Sequence, residues 1–209
     1  RIPAHVPLET AAAFTLATLT AWRMVVTKAN VQAGDHVLIQ GIGGGVAIAA
    51  LQIAKWLGAH VWVTSSSDAK LGRARALGAD ETLNYRTADV AKTIRSRTSK
   101  RGVDVVIDSV GQAMWPASLG ALGKAGRLVT CGATSGPMVE TDARRLFWNQ
   151  WSIMGSTMGN DAEFHTAEGT ASAVDQALSS QRAHALDSRR LVVLPEPGED
   201  VPGLIDRVE

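Results

Sequence analysis

Cysteine and tyrosine are nearly absent from this 209-residue sequence, which contains one of each, Cys131 and Tyr85. A single cysteine excludes an intrachain disulfide and is typical of a reducing compartment, so we expect a cytoplasmic protein. No apolar run approaches the ~20 residues that a membrane helix needs, and the pattern of a signal peptide is missing. The net charge of +1 gives no reason to expect a nucleic acid or a membrane as a partner.

Metal ligands are also scarce in the sequence. The histidines are scattered, and no two have the spacing of ligands to one metal ion: His5, His36, His60, His165 and His184. We therefore expect that this chain binds no zinc. Cys131 ends a predicted buried strand and is interpreted as a core residue rather than a nucleophile. Ser109 beside Asp108 looks like part of a hydrolase triad, but the surrounding G-x-S-x-G pattern is missing.

A glycine-rich turn is the most informative feature that the sequence does contain. The apolar run His36–Ile39 predicts a buried strand, and Val46–Leu57 predicts a helix rich in alanine. Between them lie the glycines of a tight turn: Gly41, Gly43, Gly44 and Gly45. A strand, such a turn and a helix N-terminus together direct backbone N–H groups at a phosphate. The alternative is an ordinary strand–helix turn, because Val46 replaces the last glycine of G-x-G-x-x-G.

The rest of the chain alternates strands and helices. Further strands are predicted at His60–Thr64, Glu81–Asn84, Asp104–Asp108, Gly126–Gly132 and Ser152–Met154. Helices are predicted at Glu9–Lys28, Ala69–Leu77, Ala88–Ser99 and Ala113–Leu122, and Asn160-Asp161 is a candidate helix cap. This alternation predicts an α/β fold with a doubly wound parallel sheet, the Rossmann fold. After position 159 the pattern weakens, and only Leu191–Leu194 is a candidate strand.

The turns that follow the predicted strands define a candidate cleft, because ligands of such sheets bind beyond the strand C-termini. These turns are Gly41–Gly45, Ser65–Ser67, Asp108–Gly111 and Gly132–Gly136. A carboxylate after the second strand would bind a ribose 2′-OH and repel a 2′-phosphate, but Ser65 and Ser66 stand there, with Lys70 nearby. Hydroxyls and a cation suit a phosphate ester, so we favour NADP(H), with NAD(H) as the alternative. Ser65–Ser67 could also simply cap the next helix.

A series of motifs follows in one order along the chain. The motifs are Thr20-Ala21-Trp22, Gly41–Ala59, Leu77–Asp80, Asn84-Tyr85-Arg86, Gly102–Val106, Asp108–Gly111, Gly126–Gly132 and Gly155–Gly159. Together they resemble the cofactor domain of the medium-chain dehydrogenase/reductase family, in particular its zinc-type alcohol dehydrogenases and quinone oxidoreductases. The resemblance implies hydride transfer between NAD(P)H and a small alcohol, carbonyl or quinone. One departure is Ala47, where the family usually has glycine, and an alanine is expected to fit at a helix start.

The resemblance and the turns at the strand ends together imply a set of cofactor-binding residues. They are Thr20, Gly41, Gly44, Gly45, Val46, Ser65, Ser66, Lys70, Tyr85, Ser109, Val110, Gly132, Ala133 and Thr134. By the resemblance, Tyr85 would approach the 2′-phosphate end, and Gly132–Thr134 would lie near the nicotinamide. Tyr85 is equally interpretable as a surface aromatic residue at a strand end. No catalytic residue is identified.

The domain organisation expected from the resemblance is a dinucleotide-binding domain over residues 1–159, with an N-terminal linker helix. Residues 160–209 are a C-terminal segment of uncertain structure, which is either divergent or the product of a shifted reading frame. The family's N-terminal catalytic domain, with its zinc ligands, is expected to be absent, and a chain that opens on Arg1 is expected to be part of a longer protein. A homodimer is one open arrangement.

Two other classes of function stay open from the sequence. The first is a methyltransferase, because Gly41-x-Gly43-x-Gly45 also imitates a nucleoside-binding turn. That class would want acidic residues near Ile39 and at the end of the second strand, and both are missing. The second is a nucleotide-binding module or fragment without chemistry of its own.

Overall fold

Six parallel strands form one sheet in the order β3-β2-β1-β4-β5-β6 in the computed structural model, which describes residues 8–169. The strands are β1 (His36–Ile39), β2 (His60–Ser65), β3 (Glu81–Asn84), β4 (Val103–Asp108), β5 (Leu122–Thr130) and β6 (Ser152–Gly155). The predicted doubly wound parallel sheet is confirmed. The strand order reverses between β1 and β4, which places the ligand crevice of such a sheet at the C-terminal ends of these two strands.

Helices cover both faces of the sheet. They are α1 (Leu8–Trp22), α2 (Gly45–Trp56), α3 (Asp68–Ala76), α4 (Val90–Arg97), α5 (Trp115–Ala121), α6 (Ala143–Asn149) and α7 (Asp161–Gly169). A π-helical segment, Arg23–Lys28, continues α1. Among residues 8–169, no helix is long and apolar enough to cross a membrane.

Alternate residues of each strand enter two separate cores, as the pleat of a sheet requires. Val37 and Ile39 of β1 face the core that α1, α2 and α3 cover. Leu38 of the same strand faces the core on the other side, where residues of α4 and α5 pack. Trp22 of α1 is buried in the first core. Burial on both faces explains why these strands are continuous apolar runs.

Several predicted boundaries are wrong around the fifth strand. The helix predicted at Ala113–Leu122 is α5, which begins only at Trp115 and has Pro116 in its first turn. The strand predicted at Gly126–Gly132 begins at Leu122 and ends at Thr130. A register shift between Val103 and Val105 of β4 accommodates the extra residues of β5. The short helix α6 has no predicted counterpart, because none of its residues is buried and no apolar periodicity marks it.

The remaining elements start and end close to their predicted positions. The strand Glu81–Asn84 is found as predicted, and α2 is shifted by one residue from Val46–Leu57. The helix predicted from Asn160-Asp161 is α7. Its start is a capping box, because the backbone N–H of Asn160 donates to Glu163 Oε2 (2.9 Å) and the backbone N–H of Glu163 donates to Asn160 Oδ1 (3.0 Å). The predicted strand Leu191–Leu194 lies outside the described residues.

Candidate functional site

The turn after β1 needs glycine at two positions. Gly41 and Gly43 have φ values of 69° and 133°, which L side chains rarely adopt. The N–H of Gly41 donates to Thr64 Oγ1 (3.1 Å), and the N–H of Ile42 donates to the Thr64 carbonyl (2.7 Å). These two amides are therefore committed inside the protein. Gly41 contributes the shape of the turn rather than a free donor.

The start of α2 is open and uncapped. Gly44 is the N-cap residue, with extended backbone (φ −81°, ψ 153°), and as a glycine it has no side chain of its own to cap the helix. A Cβ atom placed on Gly44 would have no atom of the described residues within 4 Å, apart from those of its two chain neighbours. The first N–H groups of a helix, here from Gly45 and Val46 onward, have no partner within the helix. The helix thus presents its positive end and free donors to open space.

A positive charge lies beside this turn. A Cβ atom on Gly43 would be 3.0 Å from Cδ of Lys70 and 3.6 Å from its Nζ, so the side chain passes over the glycine. Lys70 belongs to α3, which follows the next strand end. The fold therefore brings the ammonium group of a residue on α3 to the glycine turn after β1. An anion at the start of α2 would meet both a helix N-terminus and a lysine.

The serines after β2 mainly organise their own loop. Ser67 is the N-cap of α3, and its Oγ accepts the N–H of Lys70 at 3.4 Å. The Oγ of Ser65 accepts the N–H of Ser67 at 3.2 Å, and Ser65 is buried. Tyr85 is 40% exposed, and its N–H donates to the Ser65 carbonyl at 3.2 Å. Ser65, Ser66 and Tyr85 are thus neighbours, and the helix-cap interpretation holds for Ser67.

A carboxylate, Asp68, stands on this loop. Its Oδ1 accepts the side-chain amide of Asn84 at 2.9 Å, and the same amide donates to the Ser66 carbonyl at 3.3 Å. Asp68 opens α3, three residues after Ser65, which stands where a carboxylate would bind a ribose 2′-OH. The first turn of α3 therefore carries charges of both signs, a negative charge on Asp68 and a positive charge on Lys70.

The turns after β4 and β5 are joined by backbone hydrogen bonds. Thr134 N–H donates to the Ser109 carbonyl (3.3 Å), and Ser135 N–H donates to the Val110 carbonyl (2.8 Å). A Cβ atom on Gly132 would be 3.1 Å from the Ser109 carbonyl oxygen, so a side chain there would crowd the pairing. The predicted residues Ser109, Val110, Gly132, Ala133 and Thr134 therefore lie on one connected surface.

Cys131 opens this second loop and is half-buried. Burial raises the pKa of its thiol, and the nearby carboxylate of Asp108 raises that pKa further. A raised pKa keeps the sulfur protonated at neutral pH, and a thiol is a poor nucleophile compared with a thiolate. These properties agree with its interpretation as a core residue.

The predicted cofactor-binding residue Thr20 lies on α1, which packs against α2. A Cβ atom on Gly45 would be 3.1 Å from the Cβ of Ala17, which shows how tightly α1 approaches the glycine turn. Thr20 follows one turn later on α1 and is buried. Its hydroxyl donates to the Leu16 carbonyl (2.8 Å), one turn back along the helix. The oxygen of that hydroxyl keeps its acceptor capacity.

Gln40 is a polar residue of the site that sequence reasoning missed. It is buried directly before the glycine turn, and it hydrogen-bonds to Thr64 and Ser118. Asp108 is fully buried at the end of β4, and both of its carboxylate oxygens accept hydrogen bonds. A polar residue at the end of an otherwise apolar strand is the sequence signal that marks both positions.

Two further features lie apart from these turns. Among the described residues, no group of three or more His, Cys, Asp or Glu side chains is arranged to hold a metal ion. A shallow surface depression is lined by residues of α6 and the residue before it: Asp142, Arg144, Arg145, Phe147, Trp148 and Asn149. None of its residues belongs to the turns at the strand C-termini, so the depression is not part of the candidate site.

Known proteins that resemble this chain include dehydrogenases and oxidoreductases. The model of the zinc-binding dehydrogenase family matches residues 45–173. A zinc-type alcohol dehydrogenase-like protein of Leptosphaeria maculans is 37% identical over 168 residues, which are 78% of this chain and 47% of that protein. A quinone oxidoreductase of Salmonella typhimurium is 36% identical over 137 residues, which are 66% of this chain and 42% of that protein.

A solved structure shares the same architecture. The crystal structure of an NAD-dependent alcohol dehydrogenase matches with a TM-score of 0.77 and 37% sequence identity, over 90% of this chain and 58% of the other. The chain spans about half the length of the curated relatives it matches.

Proposed function

This chain belongs to the zinc-binding dehydrogenase family, and from that membership we propose that it is the cofactor domain of an oxidoreductase. The family-level resemblance predicted from the ordered motifs is thereby confirmed. The proposed reaction is hydride transfer between a nicotinamide dinucleotide and an alcohol, a carbonyl or a quinone. One observation carries the proposal: the open, uncapped start of α2, with Lys70 beside it, at the switch point of a parallel sheet.

The diphosphate of the dinucleotide is proposed to bind at the start of α2. The N–H groups of Gly45 and Val46 would donate to its oxygens, and the empty space over Gly44 would admit them. The Lys70 ammonium would add a charge-assisted contact. Gly41 shapes the turn, and Thr20 would close the site from the side of α1.

The adenosine end is proposed to lie over the loop after β2, near Ser65, Ser66 and Tyr85. We favour NADP(H), because no carboxylate stands at the position of Ser65 to bind a 2′-OH and repel a 2′-phosphate. The nearby carboxylate of Asp68 lies three residues after Ser65 and accepts a hydrogen bond from the side-chain amide of Asn84. NAD(H) is the competing choice, since one relative is named as an NAD-dependent alcohol dehydrogenase.

The nicotinamide is proposed to lie over the joined turns after β4 and β5, against Ser109, Val110, Gly132, Ala133 and Thr134. When bound, the dinucleotide supplies or accepts the hydride at its nicotinamide ring. The role of these residues is to hold the ring and keep water from it. The described residues do not fit a zinc site, so no step of this proposal is routed through zinc.

We also propose a domain organisation, a partner, an assembly and a compartment. We infer a dinucleotide-binding domain over residues 1–159, followed by a C-terminal segment over residues 160–209. A small-molecule substrate is the proposed partner, and a homodimer is a proposed assembly. The proposed compartment is the cytoplasm, on the ground that the sequence contains one cysteine.

Titration of the purified chain with NADPH, NADH and S-adenosylmethionine, followed by calorimetry, tests the function. We expect saturable binding of both dinucleotides, tighter for NADPH, and no binding of S-adenosylmethionine. Binding of S-adenosylmethionine alone would favour the methyltransferase. Binding of neither dinucleotide would contradict the proposal.

The second candidate is a nucleotide-binding module without chemistry of its own. The observation that favours it is the span of the chain, about half the length of the relatives it matches. Dinucleotide binding is common to both candidates, so only turnover separates them. The activity assay argued at the end of the Discussion provides that separation.

A further inference from the structure

A path of buried polar side chains runs beneath the candidate site. Thr64 Oγ1 donates to Gln40 Oε1 (2.6 Å), and Gln40 Nε2 donates to Ser118 Oγ (3.1 Å). Ser118 Oγ in turn donates to Asp108 Oδ2 (3.0 Å). The four residues are 0–1% exposed. They come from the ends of β1, β2 and β4 and from the middle of α5, so the path crosses three adjacent strands.

Both ends of the path hold backbone amides of ligand-facing turns. At one end, Thr64 Oγ1 accepts the N–H of Gly41 at 3.1 Å. At the other end, Asp108 Oδ1 accepts the N–H groups of Val110 (2.6 Å) and Gly111 (3.0 Å). The glycine turn and the turn after β4 are therefore connected through an unbroken series of hydrogen bonds.

The direction of these bonds is fixed by chemistry. Asp108 accepts at both oxygens, so the Ser118 hydroxyl must point its hydrogen to it and accept from Gln40. The amide of Gln40 can then face only one way, with its carbonyl toward Thr64. Because every member is paired, the network has one satisfied arrangement, and losing a partner would leave a buried polar group without one.

The two turns also touch each other directly. A Cβ atom on Gly41 would be 3.0 Å from Cγ2 of Val110. This close approach leaves little room for either turn to shift alone. None of the four buried side chains is exposed enough to touch a ligand, so any effect on binding must act through the turns that they hold.

We propose that the path Thr64–Gln40–Ser118–Asp108 is a positioning network, which holds the glycine turn and the Val110–Gly111 turn in one mutual geometry and thereby sets dinucleotide affinity. The affinity part of this inference rests on the function proposed above. Gln40 and Ser118 are the two inner members, and their mutual hydrogen bond connects the Thr64 end of the path to the Asp108 end. The network would keep the diphosphate and nicotinamide subsites in register without contacting the cofactor.

Paired threonine variants test the network. Thr64→Val keeps the shape of the side chain but removes the hydroxyl, whereas Thr64→Ser keeps the hydroxyl. Thr82→Val is the matched control, because Thr82 lies on the neighbouring strand β3 and its buried hydroxyl has no hydrogen-bond partner among the described residues. We expect Thr64→Val to weaken NADPH binding about tenfold. Thr64→Ser keeps the hydroxyl that makes the hydrogen bond, and Thr82→Val removes a hydroxyl that makes none. Both variants should therefore bind NADPH within about twofold of the parent.

Amide hydrogen exchange of the free chain supplies a readout that a local packing defect would not move. We expect Thr64→Val to speed exchange at Gly41 and also at Gly111, at the far end of the path. Gln40→Leu should do the same at both ends, and Thr82→Val at neither. Ser118→Ala, a smaller change, tests the same coupling if a larger substitution prevents folding.

Failure of the positioning network and failure of the proposed function give different results. Faster exchange at Gly41 alone, with NADPH affinity unchanged, would overturn the positioning network even if the parent binds NADPH tightly. If the parent binds neither dinucleotide, the proposed function and the affinity part of this inference both fail. The exchange rates at Gly41 and Gly111 then still decide whether the two turns are coupled.

Discussion

The side chain of Lys70 lies over Gly43, so that a Cβ atom on that glycine would be 3.0 Å from Lys70 Cδ. The contact joins α3 to the turn that precedes α2. It places a cation where the diphosphate of either dinucleotide is proposed to bind, rather than only where NADPH carries its extra phosphate. The consequence can be measured with both cofactors.

Lys70→Met should weaken NADPH and NADH binding by a similar factor. A charge-assisted hydrogen bond is worth about 1.5–3 kcal/mol, which corresponds to roughly tenfold or more in the dissociation constant. Calorimetric titrations of both cofactors measure the two factors. Lys92→Met, at an exposed position of α4, is the matched control. A loss confined to NADPH would instead place Lys70 at the 2′-phosphate.

Gly44→Val should abolish dinucleotide binding while the fold survives. Gly44 has a backbone conformation open to any residue, and within 4 Å of its Cβ position the described part of the chain places no atom beyond its two chain neighbours. The added side chain would occupy the volume proposed for the diphosphate. Gly72→Val serves as the control, because Gly72 also has no atom within 4 Å of its Cβ position but lies within α3. Retained NADPH affinity in Gly44→Val, with an unchanged circular dichroism spectrum, would refute the site.

Local patterns were sufficient to predict the sheet and the glycine turn. The strand His36–Ile39 is an apolar run, and Gly41 and Gly43 adopt the positive φ that glycine permits. Each of these signals is contained in a few consecutive residues. The helix α6 escaped prediction because its largest apolar residues, Phe147 and Trp148, are 67% and 79% exposed, so they give no core-facing period.

The polar interior of the site could not be predicted in the same way. Gln40 and Ser118 are 78 positions apart in sequence, and only the crossing of strands and helices brings them together. A single polar residue in an apolar run looks like an exception until its partner is known. The same reason applies to Lys70, whose position over Gly43 depends on how α3 lies relative to the turn after β1.

Ser65→Asp should shift the cofactor preference from NADPH toward NADH. The new carboxylate would repel a 2′-phosphate and accept a hydrogen bond from a 2′-OH. One such contact changes the ratio of the two dissociation constants by about tenfold or more. Ser96→Asp on α4 adds the same charge at an exposed position and should leave the ratio unchanged. If Ser65→Asp also leaves the ratio unchanged, Ser65 does not face the ribose.

The stability of the fold should fall in mild acid, in part because of His36. Its Nδ1 accepts the indole N–H of Trp62 at 3.2 Å, which requires a neutral ring. Burial lowers the pKa of His36 below 6.5, and the charges of His60 and Arg101 lower it further, against the opposite effects of Asp104 and Asp80. A lowered pKa means that the unfolded chain binds the proton more readily, so this contribution is present above pH ~6.5 and is lost as the pH falls below it.

His36→Gln removes this titration. We expect its melting temperature to depend less steeply on pH between pH 7 and pH 5 than that of the parent. Measurements at pH 8, where the ring is neutral in both states, give the baseline cost of the substitution itself. Parallel pH profiles for the two proteins would show that His36 does not contribute.

The last prediction concerns catalysis by the chain alone, which should bind dinucleotide but turn over alcohols, aldehydes or quinones very slowly or not at all. Hydride transfer needs a substrate carbon held against the nicotinamide and a polarising group on the substrate oxygen. The described residues supply the turns proposed for the cofactor, but they hold no metal-ligand cluster and no identified acid, and the chain spans about half the length of its relatives. Loss of substrate positioning alone could cost up to ~7–11 kcal/mol of barrier lowering. NADPH absorbance, followed with aldehyde and quinone substrates and with or without added zinc, measures the rate. Turnover at ordinary enzyme rates would show that these 209 residues already contain a complete active site.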